Sequence, residues 1–191
     1  ELEQLLNYGH YFISDGLIKE KTISKKGEEQ CQTVFEQKII PAGIVYNVND
    51  KGYKLKIDFV KHNKWQSIIE DKSILANRNK IIELSKKGIY VTSTNSANLV
   101  NYLNELERLN EDLLPKYKQV SQLGWFENEF LPYSKDVLIE EFNGINLNAF
   151  RQCGNFNEWL KAVNIFRHQH KVFRMVIAAE LCSPLLKVLN K

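Results

Sequence analysis

The chain has 191 residues, of which 43% are hydrophobic and 26% charged, and its formal net charge is +3. This composition is typical of a folded domain with a buried core and excludes a wholly disordered chain. The charge is too small to indicate an acidic partner, but it is unevenly spread. Residues 105–141 hold four basic and nine acidic residues, whereas residues 151–191 hold seven basic and two acidic ones. The C-terminal segment is therefore the more basic part of the chain.

The cysteines and the apolar segments indicate the compartment. Cys31, Cys153 and Cys182 are widely spaced and odd in number, which argues against a disulfide scaffold and favours a reducing, cytoplasmic location. Residues 172–189 are the most apolar stretch, but charged residues and a proline interrupt it, so we interpret it as a buried helix and not a membrane span. Because the chain starts at Glu1 and stops just after this helix, we expect it to be part of a longer protein.

The first 40 residues predict a hairpin and a loop. Tyr8–Ile13 and Leu17-Ile18 have strand composition, and Asp15-Gly16 between them suits a tight turn with positive φ angles. Residues 19–30 are polar and are interpreted as a flexible loop. Pro41 should restrict any strand there to a sheet edge or a strand start, because it has no backbone N–H.

A three-stranded antiparallel meander is predicted next, over Ile44–Val48, Tyr53–Val60 and Lys64–Ile69. Its middle strand alternates strictly between apolar and polar residues, which indicates one buried and one solvated face. The apolar residues of this strand are Tyr53, Leu55, Ile57 and Phe59.

Two helices and a short strand follow the meander. A helix is predicted over Ser73–Lys87, ended by Gly88, and a strand over Ile89–Thr92. The inner face of this first helix would hold Ile74, Ile81, Ile82 and Ser85. The second helix is capped by Thr94 or Asn95, ends before Pro115, and has helical spacing in Leu99, Tyr102, Leu103, Leu106, Leu109 and Leu113.

The last third predicts a hairpin and two helices. The hairpin turns at Glu127-Asn128, Asn155 caps the first helix, and the second helix runs from about His170 to Leu189. Together these elements predict an α+β fold, in which an antiparallel meander and hairpins pack with helices and a helical C-terminal segment follows. We divide the chain into an N-terminal hairpin and loop (1–40), an α+β core (41–150) and a helical segment (151–191).

The sequence contains no motif that indicates an enzyme, a cofactor or a metal site. The phosphate-binding patterns G-x-x-x-x-G-K-[ST] and G-x-G-x-x-G are absent, as are G-x-S-x-G and H-E-x-x-H. His168 and His170 lack further ligands close by, and the pairs Glu111-Asp112 and Glu140-Glu141 are interpreted as solvated acids. Four aromatic residues could stack on nucleobases if exposed, but their apolar surroundings favour core packing: Tyr102, Trp65, Trp125 and Trp159.

Two basic clusters are candidates for contact with nucleic acid, with ordinary solvated side chains as the alternative. One cluster lies on or near the polar face of the meander and consists of Lys54, Lys56, Lys61 and Lys64. The other lies at the junction of the last two helices and consists of Arg167, Lys171 and Arg174.

The order of several segments resembles a known family. These segments are Leu84–Ser93, which includes Gly-Ile-Tyr-Val-Thr-Ser, then Gln122–Trp125, Phe130–Pro132, the Trp159 helix and Ala178–Leu186, which ends in Pro-Leu-Leu. The family is catalogued as domain of unknown function 927 and occurs in large proteins of phages and integrating mobile elements. There the domain precedes a P-loop ATPase related to hexameric helicases. The resemblance implies the N-terminal portion of a replicative, self-loading helicase or primase-helicase, with segment 151–191 leading toward an ATPase domain that this chain lacks.

Three functions follow as hypotheses. The first is a non-catalytic accessory domain that contacts DNA through the two basic clusters. The second is a protein-interaction module that organises a helicase ring or binds a primase or loader protein. The third, an enzyme without a recognisable motif, is disfavoured because no group of residues has the geometry of an active site.

Overall fold

The structure is a computed structural model that describes residues 2–23, 29–131, 133–134, 136–140 and 153–188. Its first sheet consists of strands β1 to β3. After a short helix α1 (Leu2–Leu5), β1 (Tyr11–Ser14) and β2 (Leu17–Ile23) pair in antiparallel fashion. Asp15 and Gly16 between them have φ angles of 56° and 76°, which confirms the predicted hairpin.

The prediction of a flexible loop over residues 19–30 is wrong at both ends of that range. β2 continues to Ile23 and pairs with β3 (Glu29–Phe35); residues 24–28 lie outside the described part of the chain. The first five residues of β3 are exposed on both faces. A strand without a buried face has no apolar alternation, so its sequence resembles that of a loop.

Within the first 119 residues, the second sheet contains the predicted meander and one further strand. Within residues 1–119 its strand order is β7, β4, β5, β6, and β4–β5–β6 is antiparallel, as predicted. β7 pairs with β4 in parallel. The bounds are Ile39–Asn47 for β4, Gly52–Lys61 for β5, Lys64–Asp71 for β6 and Lys116–Val120 for β7. Pro41 is not at a strand start, but the pairing of β4 with β7 covers only Ile44–Asn47, so among the described strands Pro41 has a partner on the β5 side alone. A register shift follows between Pro41 and Gly43.

The core lies between the inner face of this sheet and helix α3 (Ser96–Leu109). Leu55, Ile57 and Phe59 of β5 are fully buried, as predicted, and so are four residues of α3: Leu99, Tyr102, Leu103 and Leu106. The Tyr102 hydroxyl donates a hydrogen bond of 2.9 Å to the carbonyl of Ile39, which joins the helix to the sheet. The helix is shorter than predicted, and Leu113 lies outside it and is exposed.

The long helix predicted over Ser73–Lys87 is wrong. Three short pieces occupy this stretch: a 3₁₀ helix (Lys72–Ala76), α2 (Arg78–Ile81) and a second 3₁₀ helix (Ile82–Lys87). The break falls at Asn77, whose backbone is extended and whose side chain accepts a hydrogen bond from the Asn79 N–H at 2.8 Å. A local side-chain acceptor thus competes with helix continuation. Leu84, and not Ser85, faces the core.

The strand predicted over Ile89–Thr92 is also wrong, although Gly88 ends the preceding helix as predicted, with a φ of 94°. The buried side chain of Gln37 takes the place of a neighbouring strand. Its amide donates hydrogen bonds to the carbonyls of Val60 (2.9 Å) and Gly88 (3.3 Å), and its oxygen accepts one from the Tyr90 N–H (2.8 Å).

The chain divides into two compact units, Glu1–Gln119 and Val120–Lys191. In the second unit β8 (Gly124–Phe126) and β9 (Glu129–Leu131) form the predicted hairpin, and β10 (Val137–Ile139) follows. Two helices follow, α4 (Phe156–Gln169), which Asn155 caps as predicted, and α5 (Lys171–Val188). The fold is thus α+β, as predicted. Among the described helices none is long and apolar enough to span a membrane.

Candidate nucleic-acid interface

The inner face of the second sheet extends beyond the core at the end where β4 turns into β5. Tyr53 lies two residues before Leu55 and so points to the same face. Tyr46 is its partner on β4, and Lys118 is the partner of Tyr46 on β7, so these three residues form one row across three strands. In the row beside it Ile44 pairs with Leu55 and Lys116.

This uncovered end of the face is a cavity of about 540 Å³. Its lining consists of Ile44, Tyr46, Tyr53, Lys72, Glu111, Lys116, Tyr117 and Lys118, and we call it the tyrosine cavity. All of these residues belong to the first unit. Its volume lies within the range of about 300–1,000 Å³ that is usual for ligand sites.

The two tyrosine rings of the cavity contact each other. Their centroids are 5.3 Å apart and their planes are tilted by 55°. Tyr46 is half-buried, whereas Tyr53 is 58% exposed. The prediction that Tyr53 is buried with the rest of its face is therefore wrong: the residue has the expected orientation, but more than half of its surface is exposed.

The turn between β4 and β5 holds the tyrosines in place. Asn47 is buried, and its side-chain oxygen accepts hydrogen bonds from the N–H groups of Asn49 (2.9 Å) and Asp50 (3.2 Å). Its amide group donates a further bond of 3.0 Å to the Asp50 carboxylate. This side chain replaces backbone partners inside the turn, so the positions of the two flanking tyrosines are well defined.

The charges around the cavity are mixed but mainly basic. Lys116 and Lys118 are exposed on β7. Lys72 forms an ion pair of 2.6 Å with Glu107, a residue that is only 6% exposed, so part of its charge is balanced. Glu111 is exposed and brings one carboxylate to the lining. The arrangement offers aromatic surface for stacking, and cations for phosphate groups.

Sequence reasoning did not identify this cavity. A signal for it existed in Lys116-Tyr117-Lys118, where alternation indicates a strand with two lysines on one face. The pairing of that strand with β4, more than 70 residues earlier in the chain, could not be deduced from the alternation.

Lys54 and Lys56 lie on the opposite, outer face of β5, as predicted, and both are half-buried. The Lys56 ammonium group lies 5.4 Å from the centroid of the Tyr117 ring. That ring lies against Gly43, where a Cβ atom would come within 2.7 Å of it. Glycine at this position thus permits a second pairing of an aromatic ring with a lysine.

Lys61 and Lys64 do not continue this outer face. They pair with each other beside the turn from β5 to β6, and the odd spacing from Lys56 directs Lys61 to the inner side. The Lys61 side chain packs against Gly88, where an added Cβ would collide with its ammonium group. The structure thus separates the four predicted lysines into two pairs.

Arg167, Lys171 and Arg174 lie in the second unit and are all exposed. Arg167 is in the last turn of α4, and Lys171 starts α5. Lys171 and Arg174 are three residues apart and share one helix face. At this junction the rings of Phe166 and Phe173 contact each other, with their centroids 5.5 Å apart.

The aromatic residues predicted to be in the core have different outcomes. Tyr102 is fully buried, which confirms the prediction, but Trp65 and Trp159 are 48% and 51% exposed, so it is wrong for them. Trp65 lies under the Lys38 ammonium group, 5.3 Å from the ring centroid. Trp125 is half-buried and meets Phe130 edge-on at 5.3 Å.

His168, His170, Glu111 and Asp112 are exposed, in agreement with their interpretation as solvated residues, whereas Glu141 lies outside the described residues. Among the residues that the structure describes, no group of three or more His, Cys, Asp or Glu is arranged to hold a metal ion.

Comparison with known proteins places the chain in a family without adding a named relative. No curated protein matches it. The model of the family described as "Domain of unknown function (DUF927)" matches residues 8–191, which include both units apart from the first seven residues. The segment order described above thus led to the correct family, and this chain belongs to DUF927.

Proposed function

We propose that this chain is a non-catalytic accessory domain of a replicative, self-loading helicase or primase-helicase of a mobile element, and that it contacts DNA. The observation that carries the DNA contact is the tyrosine cavity, where two touching aromatic rings lie beside Lys116 and Lys118. The helicase context, with an ATPase domain of the same protein as partner, is supported by the segment order on which the family resemblance was based. A cytoplasmic location is supported by three free, exposed cysteines: Cys31, Cys153 and Cys182.

The chemistry of this contact divides between the two kinds of side chain. Lysines neutralise phosphates and release counterions, which makes binding sensitive to salt. Tyrosines stack on bases without strong sequence preference. Lys54 and Lys56 on the outer sheet face, with Lys61 and Lys64 at the turn and Arg167, Lys171 and Arg174 in the second unit, would add further phosphate contacts.

Fluorescence anisotropy with labelled single- and double-stranded oligonucleotides tests the proposal. We expect binding at about 50 mM salt that weakens toward 200 mM, with a slope of log affinity against log salt of about −0.7 per phosphate contact on single strands. The double variant Lys116→Glu/Lys118→Glu should lose affinity and flatten this slope. Lys80→Glu/Lys86→Glu is the matched control, because it reverses the charge of two lysines that are also exposed but do not line the cavity.

The absence of salt-sensitive binding to either form of DNA would overturn the proposal. Equal DNA affinities of the double variant and the control would show that the tyrosine cavity does not contribute to DNA binding. The triple variant Arg167→Glu/Lys171→Glu/Arg174→Glu tests the second basic cluster in the same assay: lower affinity supports its role in DNA contact, and unchanged affinity excludes it.

A protein-interaction module is the second candidate, and the helices of the second unit favour it. Phe156, Trp159, Val172 and Met175 are 51–74% exposed, which is a large exposed fraction for apolar side chains. The occupant we propose is a second copy of this chain, as in a ring. The basic segment 151–191 and the acidic segment 105–141 of another copy have complementary charges.

Analytical ultracentrifugation over a range of concentrations tests this candidate. Under it the chain should associate as its concentration rises, and Met175→Ser should shift the association to higher concentrations. Tyr90→Ser is the control, because Tyr90 is an exposed residue of the first unit. A chain that stays monomeric throughout would contradict self-association.

A further inference from the structure

The tyrosine pair lines a half-open recess, and this bears on the form of nucleic acid that can reach it. Tyr46 is half-buried at the cavity wall, while Tyr53 presents more than half of its surface to the cavity and the solvent. A base inside a duplex is stacked on both sides and paired, so it cannot enter such a recess unless it is extruded. A base of a single strand is free to enter.

We infer that the tyrosine cavity receives one unpaired nucleobase of a single-stranded nucleic acid. This inference rests on the proposed function and makes it more specific, since it selects the strand form and the group that is bound. Lysines alone on a flat sheet face respond only to phosphate charge and would favour the duplex, whose charge density is higher.

The order of residues across the sheet sets the direction of the bound nucleotide. Lys118, Tyr46 and Tyr53 succeed one another over three strands, so the row spans two strand spacings, or about 10 Å. The phosphate lies over β7 beside Lys116 and Lys118, and the base extends over β4 toward β5.

The ring geometry determines how the base is held. Because the two ring planes are tilted by 55°, a flat base can stack on one of them only and meets the other with its edge. Tyr53, as the more exposed ring, is the stacking surface. Glu111 and Lys72 lie on the lining as an acceptor and a donor for the polar edge of the base.

Three probes of equal length test this inference with the full chain by fluorescence anisotropy: an oligothymidine strand, a duplex, and a strand with the same phosphates but abasic sugars. We expect the intact strand to bind at least about fivefold more tightly than the abasic strand, which matches the lower end of the stacking contribution of one base. The duplex should bind more weakly than the intact strand.

Variants then locate the effect. Tyr53→Ala should weaken binding of the intact strand by about fivefold or more, leave the abasic strand unchanged, and so remove the difference between them. Tyr53→Phe should retain the difference, because the ring is kept. The control Tyr90→Ala removes a tyrosine of similar exposure, 52%, that lies outside the tyrosine cavity. Thermal unfolding of each variant checks that the fold is kept.

The outcomes separate this inference from the proposed function. Equal binding of all three probes, or an unchanged preference in Tyr53→Ala, would overturn the inference while DNA contact stands. Failure of every probe to bind at low salt would overturn both. The preference for the intact strand could also be lost to the same extent in Tyr90→Ala and in Tyr53→Ala. That result would show that the base does not bind in the tyrosine cavity, and it would overturn the inference.

Discussion

The first unit buries most of its apolar side chains, whereas the described side chains of the two long helices of the second unit are mainly exposed. Phe59 of β5 and Leu99 of α3 are fully buried, whereas Phe156 of α4 and Met175 of α5 are 68% and 74% exposed. No residue of α4 is buried. The stability of the first unit therefore comes from its own core, while that of α4 depends more on interactions within the helix.

This difference also separates two kinds of candidate surface. In the first unit a polar and aromatic cavity lies at the end of the sheet where β4 turns into β5, and it suits a small flat group. In the second unit large apolar side chains of α4 and α5 are exposed, which is typical of a protein contact. The DNA proposal and the interaction proposal thus concern different units.

The largest expected effect comes from comparing two phenylalanines. Phe59→Ala should lower the free energy of unfolding by about 3–5 kcal/mol, because it leaves a cavity in a closed core. Phe156→Ala should lower it by less than about 1 kcal/mol, because that ring is mainly solvated and stacks on Trp159 alone among the described rings. Unfolding in urea measures both. Similar losses in the two variants would contradict the difference between the units.

A smaller effect is expected at the start of α4. The Asn155 side chain accepts hydrogen bonds from the N–H groups of Asn157 (2.9 Å) and Glu158 (3.4 Å). Asn155→Ala should therefore destabilise the helix by about 1 kcal/mol, which speeds amide exchange in α4 about fivefold. Amide hydrogen exchange measures this, with Asn157→Ala as a control that keeps the cap. Faster exchange in α3 as well would show that the two units are not independent.

The smallest effect concerns the stability of the first unit at high pH. Burial, with the nearby carboxylates Glu20 and Glu105 as further causes, raises the pKa of Tyr11 to about 12 from its ordinary value of 10. Above pH 10 the unfolded chain releases this proton while the folded chain keeps it, so the free energy of unfolding should fall between pH 10 and 12. Tyr11→Phe should make this fall shallower.

Urea unfolding at pH 9, 10, 11 and 12 measures the slope. A remaining fall is expected in Tyr11→Phe, because burial also raises the pKa of Tyr8 and Tyr102 above the ordinary value. An unchanged slope in the variant would contradict the assignment to Tyr11. The chosen probes should report on the first unit, where all three tyrosines lie.

Local sequence patterns predicted the elements whose residues supply their own signal. The alternation in β5, the helical spacing from Leu99 to Leu106, the Asp15-Gly16 turn and the Asn155 cap were all confirmed. The predictions failed where the local conformation depends on a residue that is distant in the sequence. Gln37 binds the backbone at Gly88 and Tyr90, which are 51 and 53 positions away, and so replaces the strand predicted there.

The candidate site shows the same division between local and distant information. The sequence by itself determined the α+β class, the family and the orientation of Tyr53 and Leu55 to one face, because each of these follows from residue order or from a two-residue period. Only the tertiary structure decided that Leu55 is covered and Tyr53 is not, and that β7 brings Lys118 beside Tyr46. Burial depends on the length of the helical layer over the sheet, and strand pairing on contacts between distant segments, so neither is written in the local pattern.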